Sequence, residues 1–150
     1  MEIIFEVIRI KQEIKELKGD YDLLANTQIK SPNDGIHFAS QLIGDEDREI
    51  FLVFVLNTKN EIIAVHRCHI GSINATIVSP REVFKSAILN NGASIIIAHN
   101  HPSFTLNPSD EDLEVTERLV ESGKILGIQL LDHLIVNNKT GISLREKGYM

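Results

Sequence analysis

Two histidines two positions apart, His99 and His101, directly follow a short apolar stretch that is typical of a buried strand. Residues two apart on a strand point to the same side of a sheet, so both imidazoles can reach one ion. Pro102 ends the strand, which places the pair at an edge where a substrate can arrive. We therefore predict a metal site in which neutral imidazole nitrogens are ligands.

A catalytic zinc site usually has three protein ligands and one open position. The third ligand should come from nearby and carry oxygen or nitrogen. Asp112 is the best candidate because it lies in the first turn of the next predicted helix, and that turn can fold back over the strand end. Asp110 and Glu111 compete with it, and spacing alone does not separate the three carboxylates.

A second interpretation needs no metal. Ser109 and Asp112 fit the S-x-x-D pattern of a helix cap, which explains both residues by themselves. Paired histidines at this spacing also occur often by chance. Spacing and composition therefore favour the metal only slightly.

The elements that must position these residues follow from periodicity and turn signals. The first predicted elements are a helix from Ser31-Pro32-Asn33-Asp34 to Ile43 and a hairpin of strands 50–56 and 61–70 with a continuation over 74–78. A helix capped by Ser79 and Glu82 and stopped by Asn91-Gly92 follows, and then a strand 94–98. The last elements are a helix 108–122 ending at Gly123, a strand 127–136 and a short strand 141–144. Helices that alternate with strands, together with hairpins, predict an α/β fold in which helices pack on a mixed sheet.

The first thirty residues carry mixed signals. Ile4, Val7-Ile8 and Ile10 favour a strand, and a short helical or irregular piece follows up to Leu17. The stretch 19–30 is the one plausible linker. We therefore predict an N-terminal strand/helix extension over residues 1–30 and a domain over residues 31–150.

Composition limits the class of protein. The chain has 150 residues, 43% of them hydrophobic, and a net charge of −6. These values predict a soluble domain and disfavour direct nucleic-acid binding, since an acidic chain has no bulk attraction for a polyanion. No membrane span or secretory signal is visible, and the single cysteine, Cys68, suits a reducing cytoplasm. A homodimer is compatible with the sequence, although no motif specifies one.

The motif H-N-H-P followed by P-S-x-x-D resembles the signature of JAMM (MPN-plus) metalloproteases. More narrowly, the chain resembles the bacterial RadC family from about Ile29 to its C-terminus. The supporting motifs are Leu56-Asn57-Thr58-Lys59-Asn60, Gly71-Ser72-Ile73-Asn74, Pro80-Arg81-Glu82-Val83-Phe84, His99-Asn100-His101-Pro102-Ser103 and Leu131-Asp132-His133-Leu134-Ile135-Val136.

The resemblance implies that His99, His101 and Asp112 are zinc ligands and that Ser109 donates a hydrogen bond to the tetrahedral intermediate. It implies a curved mixed sheet with flanking helices, similar to the cytidine-deaminase architecture. It also implies zinc-dependent hydrolysis of a peptide or isopeptide bond in a peptide or protein substrate, through a water that the metal activates.

The chain departs from the family pattern at two places. His66 lies where the resemblance predicts the glutamate base, so His66 is a candidate base, a candidate fourth ligand, or a sign that activity is weak or absent. Phe104-Thr105 replaces the usual glycine, and Phe104 could narrow the entrance or stack on substrate. The alternatives are a non-catalytic metal-binding or interaction domain and a DNA-repair or mobile-element accessory factor.

Overall fold

The protein is a mixed α/β domain. A computed structural model describes residues 3–15, 28–74 and 76–150. Within these ranges the elements are α1 (Pro32–Ile43), β1 (Ile50–Leu56), β2 (Ile62–Ile70), α2 (Pro80–Leu89), β3 (Ser94–Asn100), α3 (Asp110–Leu126), β4 (Gln129–Val136) and β5 (Gly141–Ser143). The strands form one sheet in the order β2-β1-β3-β4-β5, in which β3 and β4 are parallel and the other neighbours are antiparallel. The predicted fold class, a mixed sheet flanked by helices, is confirmed.

The two central strands, β1 and β3, are buried along their whole length. Odd-numbered residues such as Phe51 and Ile97 pack with α2 and α3, and even-numbered residues such as Leu52 and Ala98 pack with α1 on the opposite face. Apolar side chains on both faces explain why these segments read as continuous hydrophobic runs. His99 belongs to the odd-numbered set, and it therefore faces the same side as α3.

The end of α3 lies four residues beyond the predicted one. Gly123 is inside the helix, and Gly127 closes it in the left-handed conformation with a φ of 73°. A Cβ atom on Gly123 would lie 2.4 Å from the carbonyl oxygen of Ile128. Gly123 is therefore required by the close approach of helix and chain rather than by a helix stop.

Around α2, the sequence prediction is partly confirmed. Ser79 is the N-cap and Asn91 adopts the left-handed conformation, with a φ of 53°. The expected capping box is wrong, because Glu82 pairs with Lys85 at 2.9 Å instead of reaching back to the cap. The predicted strand over 74–78 is also wrong, because the amides of Ile77 and Val78 donate to the carbonyl of Asn74 and close a turn.

Residues 3–15 form neither a helix nor a strand and are exposed. The strand predicted around Ile4 to Ile10 is therefore wrong, since a strand needs a neighbour to satisfy its backbone hydrogen bonds. Leu17 and most of the predicted linker 19–30 lie outside the described residues. In the part of the chain that is described, no helix has both the length and the apolar character that crossing a bilayer requires.

Candidate metal centre

His99, His101 and Asp112 meet where β3 ends and α3 begins. The Nε2 atoms of His99 and His101 are 3.0 Å apart, and each lies 3.2 Å from one carboxylate oxygen of Asp112. His99 is fully buried, and 11% of the His101 side chain is exposed. The structure thus brings together the three predicted ligands at a site that solvent reaches from the His101 side.

These separations suit a small cation. Two ligand atoms that bind zinc tetrahedrally at about 2.0–2.1 Å lie about 3.3 Å from each other. The Nδ1 atom of His101 lies 2.8 Å from the carbonyl oxygen of Thr105, which can only accept, so Nδ1 carries a proton. The Nε2 lone pair of neutral His101 then faces the carboxylate of Asp112. Two acceptor groups in contact require a proton or a metal ion between them, so the donor set fits a divalent metal.

The electrostatics of the cluster also favour a cation. Burial raises the pKa of Asp112, but the hydrogen bonds with His101 and His99 outweigh this effect and hold the pKa well below its usual range. The hydrogen bond to Asp112 raises the pKa of His101, and burial opposes it. Asp112 is therefore a carboxylate, the negatively charged form that binds metals.

The helix cap and the candidate metal site coexist. The Oγ atom of Ser109 accepts the amide of Asp112 at 3.1 Å, and the Asp112 carboxylate accepts the amide of Ser109 at 2.9 Å. The capping box therefore fixes the orientation of the same carboxylate that faces His99 and His101. Asp110 and Glu111, the competing carboxylates, are exposed in the first turn and are not in this cluster.

His133 and Thr116 lie behind the cluster. The sequence alone did not predict that these two residues contact it. The Nδ1 atom of His99 lies 2.7 Å from the Nε2 atom of His133, whose Nδ1 atom lies 2.6 Å from the Oγ1 atom of Thr116. Burial, followed by the nearby His99, lowers the pKa of His133 well below its usual range, so His133 is neutral. The adjacent Asp132 accepts from Ser143 and Arg145, and its side chain does not pair with the imidazole of His133.

Asn100, between the two histidines, points to the opposite face and holds the chain that leads into β1. Its Oδ1 atom accepts the amide of Ile50 at 2.7 Å, and its Nδ2 atom donates to the carbonyl of Arg48 at 2.9 Å. The residue between these two contacts is Glu49. An asparagine at the strand end therefore fixes the backbone on both sides of a carboxylate.

Glu49 is the third residue near the cluster that the sequence did not reveal, after His133 and Thr116. The antiparallel pairing of β1 with β3 ends at Phe51 and His99, and Glu49 and His101 each stand two residues beyond this pair. Glu49 is half-buried, its Oε2 atom accepts the amide of Ile73 at 3.1 Å, and its charge contributes to the raised pKa of His101. No spacing signal identifies Glu49, because its place depends on the pairing of β1 with β3.

His66 lies on β2, opposite Val53, and packs toward α2. Burial lowers its pKa, and the charges that act on it are those of Lys85 and Glu82 in α2. Its buried Nδ1 atom has no hydrogen-bond partner among the described residues. The structure thus does not bring His66 into the cluster of His99, and its predicted role stays a prediction.

Phe104 lies in the loop that joins β3 to α3. Its φ is 67°, a left-handed conformation that is strained for a bulky residue, and 55% of the residue is exposed. The amide of Phe104 donates to the carbonyl of His101, and the side chain of Asn137 donates to the carbonyl of Phe104. The backbone of Phe104 is therefore held by hydrogen bonds on both sides, while about half of the residue remains exposed.

The fold and the cluster define a mixed α/β domain with a candidate metal site of two histidines and one aspartate. Residues 29–149 match the family of RadC-like JAB domains. The chain belongs to this family, and the site fits the JAMM pattern that the sequence suggested.

Curated relatives agree with this assignment. A UPF0758 protein of Caldanaerobacter subterraneus is 52% identical over 124 residues, which cover 83% of this chain and 53% of the relative. A UPF0758 protein of Bacillus pumilus is 48% identical over 122 residues, or 81% of this chain and 54% of the relative. The UPF0758 protein YsxA of Bacillus subtilis is 46% identical over 138 residues, which cover 90% of this chain and 60% of the relative. The chain spans a little over half the length of these relatives, and their names specify no activity.

Proposed function

We propose that this protein is a zinc-dependent hydrolase that cleaves peptide or isopeptide bonds. The observation that carries the proposal is the meeting of two imidazole nitrogens and a carboxylate within 3.2 Å of one another at a partly accessible strand end. Membership of the RadC-like JAB family supports it. Three ligands of this type leave one position free, as catalytic zinc sites do.

The ion, when bound, would act as a Lewis acid and would lower the pKa of a water ligand to near 7. Glu49 is an acidic residue outside the cluster whose charge acts on His101. We assign to Glu49 the role of general base, which takes a proton from water and returns it to the leaving amine. This assignment differs from the prediction of His66, which packs toward α2.

We assign to Ser109 the role of hydrogen-bond donor. Its Oγ atom accepts the amide of Asp112, so its own hydroxyl proton is not used by the cap. The residue is exposed at the edge of the site. Ser109 can therefore donate to the oxyanion that develops when a carbonyl is attacked.

Metal analysis of protein purified without an affinity tag tests the proposal. We expect about one zinc per chain, and we expect its loss in the double variant His99→Ala/His101→Ala. The control is His37→Ala, which removes an exposed histidine of α1 and should leave the zinc in place. Zinc retained by the double variant would contradict the ligand assignment.

Cleavage is tested separately with a peptide library, comparing the zinc-loaded protein with Glu49→Gln. We expect cleavage products from the first and far less product from the second at equal zinc content. A protein that binds zinc at this site without cleaving any peptide would instead be a non-catalytic metal-binding domain.

A further inference from the structure

The cluster has a polar chain behind it that leads from His99 into the core. The Nδ1 atom of His99 lies 2.7 Å from the Nε2 atom of His133, and the Nδ1 atom of His133 lies 2.6 Å from the Oγ1 atom of Thr116. Thr116 Oγ1 also lies 2.8 Å from the carbonyl oxygen of Asp112. His99, His133 and Thr116 are at most 2% exposed, so the protein itself must satisfy these contacts.

Counting protons decides the direction of each hydrogen bond. The carbonyl of Asp112 can only accept, so the single hydroxyl proton of Thr116 is donated to it. Thr116 then accepts from Nδ1–H of His133. The imidazole of His133 is fully buried, and among the described residues its two nitrogens contact only Thr116 and His99 and no carboxylate, so the ring is neutral and its Nε2 atom is left as an acceptor. The Nδ1 atom of His99 must therefore carry a proton and donate it to His133.

The first arrangement leaves lone pairs without a proton only among Nε2 of His99, Nε2 of His101 and the Asp112 carboxylate, where a metal ion would bind. The opposite arrangement instead leaves a contact inside the core without a proton. If Thr116 donated to His133 instead, two oxygen lone pairs would face each other at 2.8 Å between Thr116 and Asp112. His133 would then donate to His99, and the proton of His99 would lie on its Nε2 atom. That proton would occupy the lone pair that faces Asp112 and His101.

We propose that Thr116 and His133 are positioning residues that hold His99 as its Nδ1–H tautomer and so keep its Nε2 lone pair free for a metal ion. The inference rests on the proposed metal site. It adds that buried residues in the core set the tautomer of the ligand His99. Partners of this kind around metal-bound histidines change metal affinity by about 10- to 100-fold. The ring of Phe51 packs beside both imidazoles, nearly parallel to His99 at 11° and inclined to His133 at 66°.

Thr116→Val tests this proposal, since it keeps the shape of the side chain and removes the hydroxyl. Zinc affinity is measured by competition with a chromophoric chelator. We expect Thr116→Val to weaken zinc binding by about 10- to 100-fold, and Thr116→Ser, which restores the hydroxyl, to bind as wild type does. Ser143→Ala is the matched control, because it removes another buried hydroxyl, hydrogen-bonded to Asp132, and should leave zinc affinity unchanged.

The tautomers are measured directly from the imidazole ¹⁵N chemical shifts of the metal-free protein. We expect His99 and His133 of the wild type to be protonated at Nδ1, and His99 of Thr116→Val to populate the Nε2–H form. Wild-type zinc affinity in a folded Thr116→Val, or Nε2–H at His99 in the wild type, would overturn the inference. If the wild type binds no zinc, the proposed function fails, while the tautomer measurement on the wild type still decides this inference. The same measurement decides it if Thr116→Val does not fold.

Discussion

Ser109 and Asp112 are joined by two reciprocal hydrogen bonds, of 2.9 and 3.1 Å, across the first turn of α3. The cap that begins the helix therefore also aims the Asp112 carboxylate at His99 and His101. Because one of the two bonds uses the backbone amide of residue 109, the carboxylate keeps part of its anchor whatever side chain stands there. Stability and catalysis should consequently respond differently to substitutions of Ser109.

Ser109→Ala should lower the free energy of unfolding by about 1 kcal/mol, because the amide of Asp112 loses its cap. Ser109→Gly should lower it by only a few tenths of a kcal/mol. Both variants lack the hydroxyl, so both should lose peptide cleavage by about 10²–10³-fold while keeping zinc. Urea denaturation, zinc analysis and cleavage rates measure the three effects. Full cleavage by Ser109→Gly would remove Ser109 from the mechanism.

Glu49→Gln should lower the rate of peptide cleavage by about 10²–10⁴-fold, because an amide cannot take a proton from water. The amide oxygen of the new side chain can still accept the hydrogen bond from the amide of Ile73, so this contact and the zinc content should be unchanged. His66→Ala should leave the cleavage rate close to that of the wild type, since His66 faces α2. The opposite result, in which His66→Ala is inactive and Glu49→Gln is active, would make His66 the base.

Phe104→Gly should leave stability unchanged or increase it by up to about 1 kcal/mol. Glycine removes a left-handed strain of about 1–2 kcal/mol, and its greater freedom in the unfolded chain offsets part of the gain. Phe104→Val should be destabilising, since a β-branched residue fits the φ of 67° poorly. Urea denaturation of the wild type, Phe104→Gly and Phe104→Val gives the order of their free energies of unfolding. A large loss of stability in Phe104→Gly would show that the exposed ring makes a stabilising contact.

Cys68 should react slowly with thiol reagents at pH 8. Burial, followed by the charge of Glu82, raises the pKa of its thiol to about 11, while Lys85 opposes the shift. The reactive thiolate is thus scarce at pH 8, and the alkylation rate should rise as the pH approaches 11. Iodoacetamide labelling followed by mass spectrometry measures the rate, and the urea-unfolded protein is the control that should react readily. Equal rates in the folded and unfolded protein at pH 8 would contradict the shift.

Much of the fold followed from local patterns. The continuous apolar runs of β1 and β3, the N-cap at Ser79 and the left-handed Asn91 were all readable because strand burial and helix ends depend on neighbours in the chain. The same holds for the spacing of His99 and His101 on one strand face. By contrast, an apolar pattern around residues 4–10 predicted a strand that has no partner with which to pair.

Sequence alone therefore determined which side chains could bind a metal and in which elements they stand. Only the tertiary structure decided three further points. It decided which carboxylate turns toward the histidines and that the charge of Glu49 acts on His101. It also decided that His133 and Thr116 stand behind His99. The physical reason is that these relations depend on strand order and on the crossover through α3, which bring together residues far apart in the chain. Local periodicity records which face a residue buries, but not which other element it meets there.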